Sequence, residues 1–133
     1  MEQLEGWFSE YVIAPLIRWS KDRLLKQEVN ITQMMIQEIE QHYDQDLSIE
    51  QFAAKLHYHP SYISRVFKKD TGINFTDYLT QYRIEIAKQW LQDSSLKVSE
   101  IAEKLRYSTS SNFIRNFKKV VQMTPNQYRD QHR

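Results

Sequence analysis

One pattern occurs twice in this chain, and its period limits the folds open to it. Leu56, His57 and Tyr58 lead into Ser61-Tyr62-Ile63-Ser64-Arg65-Val66-Phe67-Lys68-Lys69. Leu105, Arg106 and Tyr107 lead into Ser111-Asn112-Phe113-Ile114-Arg115-Asn116-Phe117-Lys118-Lys119. The Arg, the Phe and the Lys pair recur 50 positions apart, as Arg65 and Arg115 show. A repeat at that period means two similar units, each needing its own small core. With only 2 Gly and 3 Pro in 133 residues, and many Lys, Glu, Gln, Ile and Leu, those units must be built of helices.

Each unit reads as a short helix, a turn and a second helix. Ser48 stands three residues before Gln51, as in a capping box, and opens a helix over 49–56 that carries Phe52, Ala53 and Leu56. His57 to His59 form the turn. Pro60 suits the first turn of the next helix, which runs to Thr71 and stops at Gly72. In the second unit a helix over 98–105 meets a turn at Arg106 and Tyr107, followed by a helix over about 109–121. Ala53 and Ala102 supply the small residue that a close helix crossing needs. The spacing turns Ile63, Val66 and Phe67, and likewise Phe113 and Phe117, toward the core. The offset is 49 across the first helices (56 to 105) and 50 across the second (67 to 117), so the second turn is one residue longer.

Between the units, residues 74–92 form the longest uninterrupted helical pattern, with Tyr78, Leu79, Tyr82, Ile86, Trp90 and Leu91 as its stripe and Ile84 and Ala87 beside it. Thr124 and Pro125 open a short terminal helix with Tyr128 turned inward. Upstream, Trp7, Phe8, Tyr11, Val12, Leu16 and Trp19 suggest an amphipathic helix that Pro15 kinks or interrupts. Asn30 or Thr32 then caps a separate helix carrying Met34, Met35, Ile36 and Ile39. The expected architecture is all-α: a helical lead (1–32), a first helix-turn-helix subdomain (33–73), a linker helix (74–92) and a second helix-turn-helix subdomain (93–133).

If those apolar residues face inward, helix geometry sets what faces outward. The first unit presents Ser61, Ser64, Arg65 and Lys68; the second presents Ser110, Ser111, Ile114, Arg115 and Lys118. Arg reads guanine O6 and N7 bidentately, Ser pairs with several base edges, and an Ile edge suits a thymine methyl. Lys68, Lys69, Lys118 and Lys119 suit phosphates, and the helix starts at Ser48 and at Ser108–Thr109 offer N–H groups to the same partner. The net charge of +1 conceals a matching asymmetry. Residues 1–59 hold 5 Lys or Arg against 10 Asp or Glu, and residues 60–133 hold 13 against 7. Double-stranded DNA is therefore the expected partner.

These residues resemble the DNA-binding domain of the AraC/XylS transcription regulators. Arg83, Ile84, Ala87, Lys88 and Leu91, then Ile101, Ala102, Leu105, Tyr107 and Ser108, then Phe113, Arg115, Phe117, Lys118 and Lys119, then Thr124, Pro125, Tyr128 and Arg129 are similar to the family signature. Residues 39–48 and Phe75, Tyr78 and Leu79 resemble its YesN-like branch. The resemblance covers about residues 33–131. It implies seven helices and two reading heads in successive major grooves, with Arg65 and Arg115 as principal readers. It also implies a bacterial, cytoplasmic regulator, or the cytoplasmic portion of a larger one, with a sensor, a receiver or a membrane-spanning sensory module upstream of this domain. Sensor contact or self-association through residues 1–32, and contact with RNA polymerase, are further candidate interactions. The family usually has Gly where this chain has Arg106 and Gln122. If those backbones are left-handed, each side chain adds about 1 kcal/mol of strain, and Arg106 becomes a candidate phosphate contact in return.

Other functions find less support. An absence of Cys excludes disulfides and thiol chemistry, and no glycine-rich phosphate loop is present. His42, His57, His59 and His132 form no metal pattern, and Glu38, Glu40, Asp44 and Asp46 read as a solvated acidic face. Neither catalysis nor a cofactor, metal or small-molecule ligand is expected. No stretch approaches the roughly 18 apolar residues of a membrane span. A helical protein-interaction module with weak or non-specific DNA binding, based on Trp7, Trp19 and the acidic first half, is the alternative.

Overall fold

The computed structural model describes residues 13–133, with side chains from residue 25 onward. Helices α1 (Ile13–His42), α2 (Ile49–Leu56), α3 (Pro60–Thr71) and α4 (Phe75–Asp93) are followed by α5 (Val98–Lys104), α6 (Ser110–Val121) and α7 (Pro125–Gln131); no strand occurs among the described residues. Caps explain most of these limits. Ser48, Asn74, Thr109 and Thr124 each accept a hydrogen bond from a backbone N–H in the first turn of the helix that follows. His59 does the same for α3 through Nδ1, so this histidine is a cap.

Both units close their turns identically. The Tyr58 N–H reaches the Ala53 carbonyl at 3.0 Å, and the Tyr107 N–H reaches the Ala102 carbonyl at 3.0 Å. This six-to-one bond requires a left-handed residue just before it. His57 (φ 63°) and Arg106 (φ 68°) fill that place, while Gly72 (φ 88°) and Gln122 (φ 71°) end the two second helices. The positive φ expected at Arg106 and Gln122 is therefore present, and His57 adds a third instance that its type did not announce. Gln122→Gly should relieve left-handed strain while adding freedom to the unfolded chain, a net gain of about 0.5–1 kcal/mol. Thermal unfolding followed by circular dichroism should show the midpoint rising by about 2–4 °C, and a fall would refute the strain.

Two apolar clusters fill the units. Ile31, Met35, Ile39, Phe52, Ala53, Ile63, Phe67, Phe75 and Leu79 form the first, and Phe67 meets Phe75 and Tyr78 edge-on at 5.7 and 5.3 Å. The second joins Ile84, Ala87, Leu91, Ile101, Ala102, Leu105, Phe113, Phe117 and Tyr128. Ala53 and Ala102, Phe67 and Phe117 thus occupy their expected places. Arg129 anchors α7 by donating to the carbonyls of Leu91 (3.0 Å) and Ser94 (3.3 Å) at the end of α4.

Two expectations need correction. The first concerns α1, which runs unbroken from Ile13 to His42, past Asn30 and Thr32, with Pro15 in its first described turn. Thr32 is no cap: it is buried, and its hydroxyl donates to Asp70 of α3 at 2.6 Å. Ile31, Met35 and Ile39, four residues apart, hold this stretch of helix against the first core. Trp7, Phe8, Tyr11 and Val12, and the side chains of Leu16 and Trp19, lie outside the described residues.

The second correction concerns the stripe on α4. Phe75 and Leu79 enter the first core, whereas Ile84, Ala87 and Leu91 enter the second. At about 100° per residue these two sets lie roughly 130° apart around the axis. One helix therefore serves two cores from different sides, and Tyr82, Ile86 and Trp90 pack at the edges as partly buried residues.

Candidate nucleic-acid interface

The second helices α3 and α6 carry the candidate reading faces. On α3, Ile63, Val66 and Phe67 are buried, and Ser61, Arg65 and Lys68 are exposed with Ser64 half-buried beside them. On α6, Phe113 and Phe117 are buried, and Ser111, Ile114, Arg115 and Lys118 are exposed with Ser110 half-buried. Positions 61, 64, 65 and 68 share one side of α3, and 111, 114, 115 and 118 share the corresponding side of α6. Two matched faces result: hydroxyl, variable residue, Arg, Lys.

The two arginines are steadied differently. The Arg65 guanidinium lies 5.5 Å from the centre of the Tyr62 ring, three residues back. Arg115 donates through Nη1 to Asn112 Oδ1 at 2.8 Å, also three residues back, and Asn112 Nδ2 donates to Ser108 Oγ at 2.8 Å. Tyr62 and Asn112 were not read as site residues. Their signal is the three-residue spacing that places both beside an Arg on one helix.

The phosphate candidates divide into free and engaged groups. Lys68, Lys118 and Lys119 are exposed. Ser48 and Thr109 spend an acceptor lone pair on their own helices, from the N–H groups of Gln51 and Asn112, and keep an O–H to donate. Ser108 is exposed next to Thr109.

Lys69 instead turns toward α1 and pairs with Glu28. Glu28 is only 8% exposed, and its hydrogen bond holds the Lys69 ammonium above its ordinary pKa. Arg106 pairs with Asp46 through Nη2 at 2.9 Å, and that hydrogen bond pulls the Asp46 carboxyl below the usual carboxylate range. Both cations, read from the sequence as phosphate contacts, are thus held by acids of the protein itself.

Two tri-helical units with matched basic reading helices define the class of double helix-turn-helix DNA-binding domains. The helix-turn-helix domain family matches residues 52–131. The chain is 40% identical over 132 residues to the uncharacterized HTH-type transcriptional regulator YtdP of Bacillus subtilis, covering 99% of this chain and 17% of that protein. It is 34% identical over 93 residues to the regulatory protein PocR of Salmonella typhimurium, covering 70% of this chain and 31% of PocR.

Among solved structures, the C-terminal domain of the response regulator AraT from Geobacillus stearothermophilus superposes with a TM-score of 0.73 at 39% identity, over 76% of this chain and 84% of that one. The C-terminal domain of the response regulator yesN from Fusobacterium nucleatum gives 0.70 at 40% identity, over 75% and 98%. The AdpA DNA-binding domain, solved with a target DNA, shares the fold with a TM-score of 0.71 at 21% identity, over 77% of this chain and 92% of that one. This chain belongs to the AraC-type family of helix-turn-helix transcription regulators, in the company of YesN-like domains. That is a class of DNA-binding domains and not of enzymes. The chain spans a minor part of the curated regulators it matches, and none of its described helices is long and apolar enough to cross a membrane.

Proposed function

We propose that the chain is the sequence-specific DNA-binding part of a bacterial, cytoplasmic transcription regulator, placing α3 and α6 in successive major grooves on one face of the duplex. The matched faces carry this reading: Ser61, Ser64, Arg65 and Lys68 on α3 are equivalent in place to Ser111, Ile114, Arg115 and Lys118 on α6. Arg65 and Arg115 read bases, the Ser and Ile side chains beside them and Ser110 refine the choice, and Lys68, Lys118, Lys119, Ser48, Ser108 and Thr109 position the backbone. Selection from a random duplex pool at about 100 mM salt should enrich a site with two patches about 10 base pairs apart. A single patch, or no enrichment, would overturn the two-head reading.

A protein-interaction role through α1 has its own observation. Leu25 and Val29, one turn apart, are 53% and 44% exposed on the part of α1 leading upstream. Contact with a sensor, a second copy or RNA polymerase through this stretch should survive charge reversal at Arg65 and Arg115, whereas DNA binding should not.

A further inference from the structure

The segment between α1 and α2 touches both units. Tyr43 sits at the edge of both cores, its ring 5.6 Å from Tyr82 and 6.5 Å from Trp90. Arg83, at the middle of α4, donates through Nε to the Tyr43 carbonyl and through Nη2 to the Gln45 carbonyl, both at 2.8 Å. Two parallel donors from one planar group hold this turn in a single orientation on α4. Arg83 is partly buried, and that burial pulls its guanidinium below its ordinary pKa. Beyond Arg83, Asp46 takes both Nη2 (2.9 Å) and Nε (3.4 Å) of Arg106, 60 residues away in the second unit's turn.

The Arg106 pair is exposed on both sides, so salt screens it and it adds little to folding stability. Its backbone is left-handed, which penalises any residue but Gly. That conformation comes from closing the turn, as at His57, so the reach of the Arg106 side chain to Asp46 is left to act on pose rather than on stability.

We propose that the Tyr43–Asp46 turn, seated by Arg83 and latched by Arg106, fixes the second reading head relative to the first and so determines which spacing of the two base patches the domain accepts. Arg83, Asp46 and Arg106 are positioning residues that touch no base. This rests on the two-head reading above. One base pair added between patches rotates the second about a tenth of a turn away, which a rigid pair of heads rejects and a loose pair follows.

The test uses the full chain and two measurements. Affinities are taken for selected duplexes whose patches are moved one base pair closer or farther. Because the chain has no Cys, Ala54→Cys with Lys104→Cys, both at exposed positions, also allows a clean spin-label distance distribution without DNA. The unaltered chain should lose about 10-fold in affinity per base pair of misplacement, and Arg83→Lys, Asp46→Asn and Arg106→Gly should flatten that to about threefold or less. Each variant should broaden the label distances, and the exchange Asp46→Arg with Arg106→Asp should restore both properties. An equal loss at every spacing would mean a folding defect and would overturn the proposal. So would a drop of about one in the salt slope on Arg106→Gly with spacing preference intact, since Arg106 would then be a phosphate contact. Asp46 is exposed, so its variant folds even if Arg83→Lys does not. If selection yields no two-patch site, the two-head reading fails; the label distances still judge the clamp, and unchanged widths would refute it.

Discussion

Phe113→Ala is expected to destabilise the second unit by about 3–5 kcal/mol. Phe113 is fully buried, with its ring 5.3 Å from Tyr107 and 5.8 Å from Phe117. Phe117 leans in turn on Tyr128 at 5.7 Å, so the cavity opens in the middle of an aromatic row. The second cluster is small, and a domain of this size holds only about 5–15 kcal/mol in all. Urea denaturation should show the midpoint falling steeply, with amide exchange fastest in 98–131 and slower in 31–79, where the first core is untouched. A loss below about 1 kcal/mol would mean that the row repacks without cost and that the core assignment is wrong.

Arg65→Ala and Arg115→Ala should each weaken binding to the selected site by about 1–3 kcal/mol, or roughly 5- to 150-fold, and blur one patch apiece. Binding to unrelated duplex should change far less, because Lys68, Lys118 and Lys119 remain exposed for phosphates. With the two sites on separate helices, the double variant should lose close to the sum and retain only salt-sensitive, non-specific binding. Fluorescence anisotropy against the selected duplex and a scrambled one, at two salt concentrations, distinguishes the cases. If Arg115→Ala weakens both duplexes equally, α6 is a phosphate clamp and only α3 reads sequence.

Steric and local hydrogen-bonding rules made much of this legible from residues alone. The caps at Ser48 and Thr124 and the stop at Gly72 involve partners within five positions, so local spacing was enough to find them. Burial of Ile63, Phe67, Phe113 and Phe117 followed from helical spacing, and that burial in turn exposed Arg65, Lys68, Arg115 and Lys118 on the opposite side.

Contacts between distant residues were not legible. Asn30 and Thr32 looked like helix starts because each favours one locally, yet α1 is continuous where Ile31, Met35 and Ile39 lie against the first core. Lys69 and Lys119 occupy equivalent positions, but Lys69 turns to α1, where Glu28 lies 41 residues back in the chain, and Lys119 is exposed. The stripe of α4 was read as one face because its sequence contains both faces superimposed, and only the placement of two cores separates them.

The sequence by itself determined the local helical preferences, two equivalent units and the buried and exposed sides of each second helix, since each depends on interactions within a few residues or on periodicity. Tertiary structure alone decided how those units are joined. Arg83 on the Tyr43 and Gln45 carbonyls and Arg106 on Asp46 span 40, 38 and 60 residues, and a pairing across such distances exists only once the chain has closed the loops between them.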